Sequence, residues 1–427
     1  MDLQSRNNAI REHGKATRER RSGMLCRVYS VKAVHSKMNG KQKAFVNALF
    51  REAKWFRNAY LADPSAVNDK TKSVSVKVGD RFEVRELTVL GSHIRQSVIA
   101  EVKENIRDLG RSQKKGSKVG PLRFKSVCNC VNLKQPNVTY RIAAEESTIR
   151  VQGCRKPFKV RGLEQIPDGA ETANCRMVRK ASGLYFHITC YVPKEEKAVP
   201  HRSVGIDFGI GDNLVFSDGS EPVNICVPES KGTKLASRRM NKAFSRNGNR
   251  KSRNHYKRTN KLRKAYEKDR NKRKDLANKT VHEILASYDL IAIQDEMIHH
   301  WQSGLFGRQV QHSAMGVIKA ELKNSSSVYV VERGFPSTQI CPVCGGLTKH
   351  PLKERTYTCR HCGYHHPSRD VKAAQSILDE AIRKYRLSGT ESEESCGGQT
   401  LCGREDTFVS AVRSLPVKQE ARSFMSG

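Results

Sequence analysis

Nowhere does this chain of 427 residues hold an apolar run approaching the ~18 residues that a spanning helix needs, and no apolar signal segment follows Met1. A membrane-spanning or exported protein is therefore not expected. A G-x-x-x-x-G-K-S/T phosphate loop is missing too, so nucleotide hydrolysis has no support, and no internal repeat is evident. Acid is scarce: 43 Asp and Glu stand against 78 Lys and Arg, a formal net charge of +35 with a pI near 9.9. That excess is more than solubility requires. It calls for a polyanionic partner, nucleic acid before a membrane surface, because neutralised phosphates release condensed counterions. The thirteen cysteines are odd in number and mostly scattered singly, which fits a reducing cytoplasm better than an oxidised exterior.

What is present is enough chain for two or three domains. The stretch to about Ser22 is polar and basic and reads as a flexible arm. Met24 to Val34 reads as a strand. From Gln42 to about Leu61, Phe45, Leu49, Ala53, Phe56 and Tyr60 recur at helical spacing, and Ile94, Val98, Val102 and Ile106 do so between Ser92 and Leu109. From about Gly116 the pattern changes to turns and strands. Phe186, Ile188, Cys190 and Val192 alternate as in a half-buried strand, after a hairpin turn at Ala181-Ser182-Gly183. The first half thus reads as a small β module carrying a helical insertion.

After Pro200 comes Val204-Gly-Ile-Asp207-Phe-Gly209, a strand carrying an acid. Between Lys231 and Lys279, twenty Lys and Arg face three acids at the spacing of a long helical hairpin. A merely solvated pair of helices would mix the signs, so one sign in such excess favours a nucleic-acid groove. Leu290 to Ile293 gives a short strand ending in Gln294-Asp295-Glu296. Next follow a helix with Met315, Ile318 and Leu322 on one side and a strand from Val328 to Val331. A last helix from about Asp370 buries Ala374, Ile377, Leu378, Ala381 and Ile382, and beyond Ser388 the composition predicts disorder.

Two Cys-x-x-Cys knuckles, Cys341/Cys344 and Cys359/Cys362, stand just before that helix. Two close pairs joined by a loop can place four thiolates tetrahedrally around one structural zinc, with no open position for water. Three acids stand out by position: Asp207 in its strand, Asp295 or Glu296 at a later strand end, and Asp370 at a helix start. Carboxylates at buried strand ends are costly unless paired or metal-bound. From adjacent strands and a helix N-terminus they can converge on two hard divalent ions that act on a phosphodiester. His299, His300 and Trp301, next to the second acid, read as covering residues or nucleic-acid contacts and not as ligands.

Gly205-Ile-Asp207-Phe-Gly209, Asp218-Gly219, the basic hairpin, Ile291-Ala-Ile-Gln-Asp-Glu296, Phe335-Pro-Ser-Thr-Gln-Ile-Cys341, the knuckles and Arg369-Asp370-Val-Lys-Ala-Ala together resemble the TnpB (OrfB) family. These are transposon-encoded RNA-guided nucleases related to type V CRISPR effectors. The match is dense over about residues 200–385; upstream, Gly120-Pro-Leu-Arg-Phe-Lys-Ser126 resembles a family segment, as does Val417-Lys-Gln-Glu420 in the tail. The resemblance implies an α/β plus α+β multidomain protein. Its expected parts are a basic flexible arm (1–22), a wedge-like β domain (23–37 and 116–199), a helical recognition domain (38–115), a RuvC-like, RNase H-type nuclease domain (200–333 and 364–387), an inserted zinc ribbon (334–363) and a disordered tail (388–427). It further implies a guide RNA, double-stranded DNA cut beside a short target-adjacent motif, two catalytic Mg2+ ions, one structural Zn2+, a monomeric ribonucleoprotein, and a cytoplasmic site of action on the nucleoid.

Two positions depart from the family pattern. Gln294 stands where the family has Glu; because strand side chains alternate faces, Glu296 takes the same side if the strand continues, and Asp295 points away. Ser368 replaces a frequent Asp, but Asp370 directly before Val-Lys-Ala-Ala is retained. The expected catalytic and magnesium-binding set is Asp207, Glu296 and Asp370; the zinc set is Cys341, Cys344, Cys359 and Cys362; Arg123, Lys125 and the hairpin cations should contact phosphates. Alternatives are a nuclease-inactive RNA-guided repressor, a compact type V CRISPR effector, and a zinc-ribbon nucleic-acid-binding protein.

Overall fold

The computed structural model describes residues 3–114, 116–193, 202–351 and 353–394. They fall into two compact units, Met1–Lys194 and Glu195–Gly427. Among the described residues no helix is long and apolar enough to cross a membrane.

The first unit corrects the expected arm. Leu3–Ser22 is a helix, α1, with five Arg, two Glu and two Ala, which favour helix without forming an apolar stripe. Its end is tied down: Arg20 and Arg21 pair with Glu171 at 2.9 and 2.6 Å, and the Arg21 guanidinium lies 4.6 Å from the centre of the Tyr191 ring. β1 (Met24–Ala33) follows, then α2 (Gly40–Ala62), which opens on a reciprocal capping box between Asn39 and Gln42. Between the predicted helices lies an unexpected hairpin, β2 (Ser73–Val78) with β3 (Arg81–Glu86), before α3 (Ser92–Lys114). The remaining strands are β4 (Cys130–Leu133), β5 (Tyr140–Ala143), β6 (Thr148–Val151), β7 (Phe158–Arg161), β8 (Glu171–Lys180) and β9 (Gly183–Pro193). β1 enters the middle of their antiparallel sheet, in the order β4-β8-β9-β1-β7-β6-β5. Phe45, Leu49, Phe56, Ile94, Phe158, Phe186 and Ile188 share one core beneath it.

In the second unit β10 (Ser203–Phe208) pairs antiparallel with β11 (Leu214–Phe216). A basic hairpin follows, α4 (Lys231–Arg246) and α5 (Arg253–Ser287), each started by a serine cap, Ser230 or Ser252. β12 (Leu290–Gln294) then pairs parallel with β10. Short helices α6 (Ile298–Trp301), α7 (Gly307–Ser313) and α8 (Met315–Leu322) lead to β13 (Val328–Val331), which pairs parallel with β12. The ribbon's strands are β14 (Tyr357–Thr358) and β15 (His365–His366), and α9 (Arg369–Glu394) closes the described chain.

The sheet order β11-β10-β12-β13 is covered on both faces. Val204, Ile206, Ile291 and Ile293 pack toward α5 and α8, and Ala292 packs toward Ile377 and Ala381 of α9. Period-two alternation places Gly205 on the α9 face, where a Cβ would fall deep inside the main-chain oxygen of Ala374. Glycine is what lets the helix backbone approach the strand so closely. The helix also corrects the start of the expected tail: Ser388 and the next six residues belong to α9. The rest of that tail, Val417 to Glu420 included, lies outside the described residues.

Candidate active site and metal centre

Asp207 is the next residue after Gly205 on the α9 face of β10, and Asp370 sits in the first turn of α9. Burial pushes the Asp207 carboxyl up to about 8, and repulsion from Asp370 and then from Glu296 adds to it, against the opposing pull of Arg369 and Lys372. The three sequence-selected acids therefore share one electrostatic field. Their oxygens do not all lie within 4.8 Å of one another, a spacing that among the described residues only the four cysteines meet. Asp370 is held by Arg355 at 3.3 Å and Arg369 at 3.8 Å.

The strand does not continue to Glu296 as the alternation of faces required. The strand stops at Gln294, and the Glu296 N–H turns back to the Gln294 carbonyl at 2.9 Å. A tight turn, and not continued alternation, places Glu296 near Asp207. Burial raises its carboxyl above the usual range, partly offset by Lys319. Asp295 faces the other way: it pairs with Lys319 at 3.0 Å, with Lys323, and with Arg333 at 2.9 Å. Hydrogen bonds from Lys323 and Lys319 hold that carboxyl far below the ordinary range, which marks a structural anion.

Gln294 is buried and committed at both ends of its amide. Nε2 donates to the Phe335 carbonyl at 2.6 Å, with the Glu332 and Arg333 carbonyls at 3.4 and 3.3 Å, and Oε1 accepts from Ser337 Oγ at 2.9 Å. Lys372, fully buried, reaches the same segment from α9. Its Nζ donates to the carbonyls of Ser337 and Ile340 at 2.8 and 2.7 Å and lies 4.1 Å from the Tyr357 ring centre, and burial pulls the ammonium down to about 8. Neither clamp was foreseen. Lys372 stands within the quoted Arg369-to-Ala374 run, and its spacing from Asp370 gives no sign that it turns toward the ribbon.

The two knuckles are one turn built twice. Gly345 N–H donates to Cys341 O at 3.0 Å and Gly363 N–H to Cys359 O at 3.1 Å, with φ of 70° and 73° at those glycines. Cys341 and Cys362 sulfurs lie 3.6 Å apart, as do those of Cys344 and Cys359, and all four fall within 4.8 Å. Tetrahedral Zn–S bonds of about 2.3 Å require S···S separations near ~3.8 Å, so the donor set fits zinc. His299 and His300 are exposed and lie outside this cluster.

Of the remaining expected contacts, Arg123 is exposed, whereas Lys125 is paired with Glu101 at 3.2 Å, and its main-chain N–H and C=O are both bonded to Asn58 at 2.9 Å. The hairpin cations are mostly exposed.

Two family models match, and they divide the site between them. A probable transposase family, OrfB_IS605, covers residues 187–299, with Asp207 and Glu296. The Cas12f1-like TNB domain covers residues 317–377, with the four cysteines and Asp370. Over these two stretches the chain is similar to a probable transposase and to a TNB domain, the second enclosing the four-cysteine cluster. A Streptomyces pristinaespiralis protein named "Putative RNA-guided DNA endonuclease" is 27% identical over 276 residues, 62% of this chain and 65% of that protein, so the match spans just under two thirds of the relative's length. The chain is thus similar to probable transposases over residues 187–299 and to a protein named as an RNA-guided DNA endonuclease over part of its length. A cryo-EM structure of a Cas12f1–sgRNA–target DNA complex also matches, with TM-score 0.39 and 14% identity over 67% of this chain and 71% of that one.

Proposed function

We propose that this protein is an RNA-guided DNA endonuclease encoded by a transposable element, which cuts double-stranded DNA beside a short target-adjacent motif. The observation that carries the reading is Asp207: a strand-end carboxyl raised by burial and by the like charges of Asp370 and Glu296. Such a cluster stores repulsion that hard divalent cations relieve, and an all-carboxylate donor set suits Mg2+. Bound there, Mg2+ would supply activation of water and stabilisation of the leaving oxygen. Asp207, Glu296 and Asp370 would hold the ions, with Arg355 and Arg369 releasing Asp370 to them. In this reading the sheet of the second unit with α9 is the RuvC-like domain, residues 334–363 are the ribbon, and the β sheet and helices of the first unit serve as wedge and recognition domains for guide RNA and DNA.

The test is plasmid cleavage by the protein purified with its co-purifying RNA, in Mg2+ and in EDTA. Cleavage lost in EDTA and in Asp207→Ala and Asp370→Ala supports the reading. Tight guided binding with no cutting by the parent protein overturns it and establishes the second reading, a nuclease-inactive RNA-guided repressor. Gln294 favours that alternative, since it places a neutral amide where the family carries an acid.

A further inference from the structure

We infer that the cleft between α4 and α5 is a pocket for one unstacked nucleotide of a single-stranded polynucleotide. The inference rests on the nucleic-acid-binding part of the function proposed above and assigns a site within it. The cleft has a volume of about 500 Å³. That lies within the ~300–1,000 Å³ of small-ligand pockets. Leu235 and Arg239 stand one turn apart on α4, and Lys257 and Lys261 one turn apart on α5, so two i,i+4 ridges face each other across the hairpin. Arg258 joins them and donates from Nη1 to the Arg239 carbonyl at 3.3 Å, which fixes one guanidinium at the rim.

Four cations and no acid line the cleft, while its apolar part is Leu235, 46% exposed, with Ala236 beside it. A surface built only to meet phosphates needs neither a concavity nor an uncovered leucine. A nucleotide needs both: an apolar face to receive the base, and cations for the phosphate it hangs from. An acidic peptide would use the cations and leave the leucine bare. The charge of one sign also continues along the hairpin on either side of the cleft, so a strand entering and leaving it keeps its phosphates neutralised.

The experiment measures binding of the full chain to a short single-stranded RNA, to the DNA of the same sequence and to the matching duplex, each carrying a fluorescent adenine analogue. Salt is varied, and polyglutamate serves as competitor. Leu235→Ser should weaken single-strand binding about three- to tenfold and abolish the rise in analogue fluorescence that unstacking into the cleft produces, without changing the salt slope. Leu235→Phe should bind as the parent or more tightly. Lys261→Gln should lower the salt slope by about 0.7, the share of one single-strand phosphate contact. The RNA and DNA arms tell which strand supplies the nucleotide.

Equal binding of parent and Leu235→Ser, an equal loss on the duplex, or competition by polyglutamate that Leu235→Ser weakens by the same factor overturns the pocket while leaving the endonuclease reading intact. A parent that binds no polynucleotide overturns both. Because Leu235 lies at the surface, an unchanged circular dichroism spectrum separates lost binding from lost folding.

Discussion

The side-chain amide of Gln294 donates to the main-chain oxygen of Phe335 at 2.6 Å, from a position beside the Asp207 strand, with two further carbonyls within 3.4 Å. A carboxylate has no hydrogen to give these oxygens. Gln294→Glu should therefore lower stability by about 1–3 kcal/mol in denaturant unfolding, and it should not raise the cleavage rate, because the new acid would face carbonyls. A gain of cleavage with unchanged stability would show that the side chain swings free toward Asp207.

Asp295 and Glu296 are neighbours with opposite expected phenotypes. Glu296→Gln should reduce Mg2+-dependent cleavage about 100-fold or more and leave the melting temperature near that of the parent. Asp295→Asn should keep cleavage and cost about 1–2 kcal/mol, since it leaves Lys319, Lys323 and Arg333 without their shared anion in a partly solvated setting. Cleavage kinetics and urea unfolding of both variants decide it; reversed phenotypes would move the metal ligand to Asp295.

Gly205→Ala should be among the most disruptive single-methyl changes in the chain. The added carbon collides with α9 backbone at Ala374, which no rotamer change can relieve. Overpacking of this kind costs about 1–3 kcal/mol or more. Cleavage should fall further than stability accounts for, because moving α9 displaces Asp370 from Asp207. Comparing residual activity at a temperature where the variant is fully folded separates the two effects.

Cys344→Ser should drop zinc from one ion per chain to none by elemental analysis, because three thiolates and a hydroxyl bind far less tightly than four thiolates. Unfolding should begin in the ribbon, seen as faster amide exchange at Tyr357 and Thr358. Retention of stoichiometric zinc would place the metal elsewhere.

Asp269 ties the basic hairpin together, accepting from Ser230 N–H at 3.0 Å and Thr233 Oγ1 at 2.6 Å. Burial pushes its carboxyl up, but the bonds from Thr233 and Ser230 outweigh that and leave it below 3.8. The folded value is depressed, so the stabilisation is complete above 3.8 and is lost as pH falls through the folded value. Unfolding of Asp269→Asn should show a deficit of about 1–2 kcal/mol that is constant from neutral pH down to the carboxylate range and closes only below it. A deficit that closes near neutrality would contradict the assignment.

Elements with an apolar period were legible in the sequence: the helices at Phe45 and Ile94, the alternating strand at Phe186, the hairpin at Ala181-Ser182-Gly183 and the helix behind Asp370. α1 was not, because helix propensity in a run of Arg, Glu and Ala leaves no apolar stripe to read. The hairpin of β2 and β3 was not, since its buried side amounts to little more than Val74, with Phe82 and Val84 exposed. At the site, residue types and order pointed to Asp207, Glu296 and Asp370. What they could not reveal was the turn that carries Glu296, or that Gln294 and Lys372 spend their hydrogen bonds on the chain entering the ribbon. The two clamps on Ser337 join residues 43 and 35 positions apart in sequence, which no local pattern encodes.

Ser337 is gripped from both sides, its hydroxyl by Gln294 and its carbonyl by Lys372. For anyone exchanging the ribbon among related proteins, the transferable cassette is consequently wider than the span between the first and last cysteine. A graft cut at the knuckles would set a foreign segment against two buried side chains that specify its main-chain path, so donor junctions belong before Glu332 and after Lys372, with position 294 moved in concert.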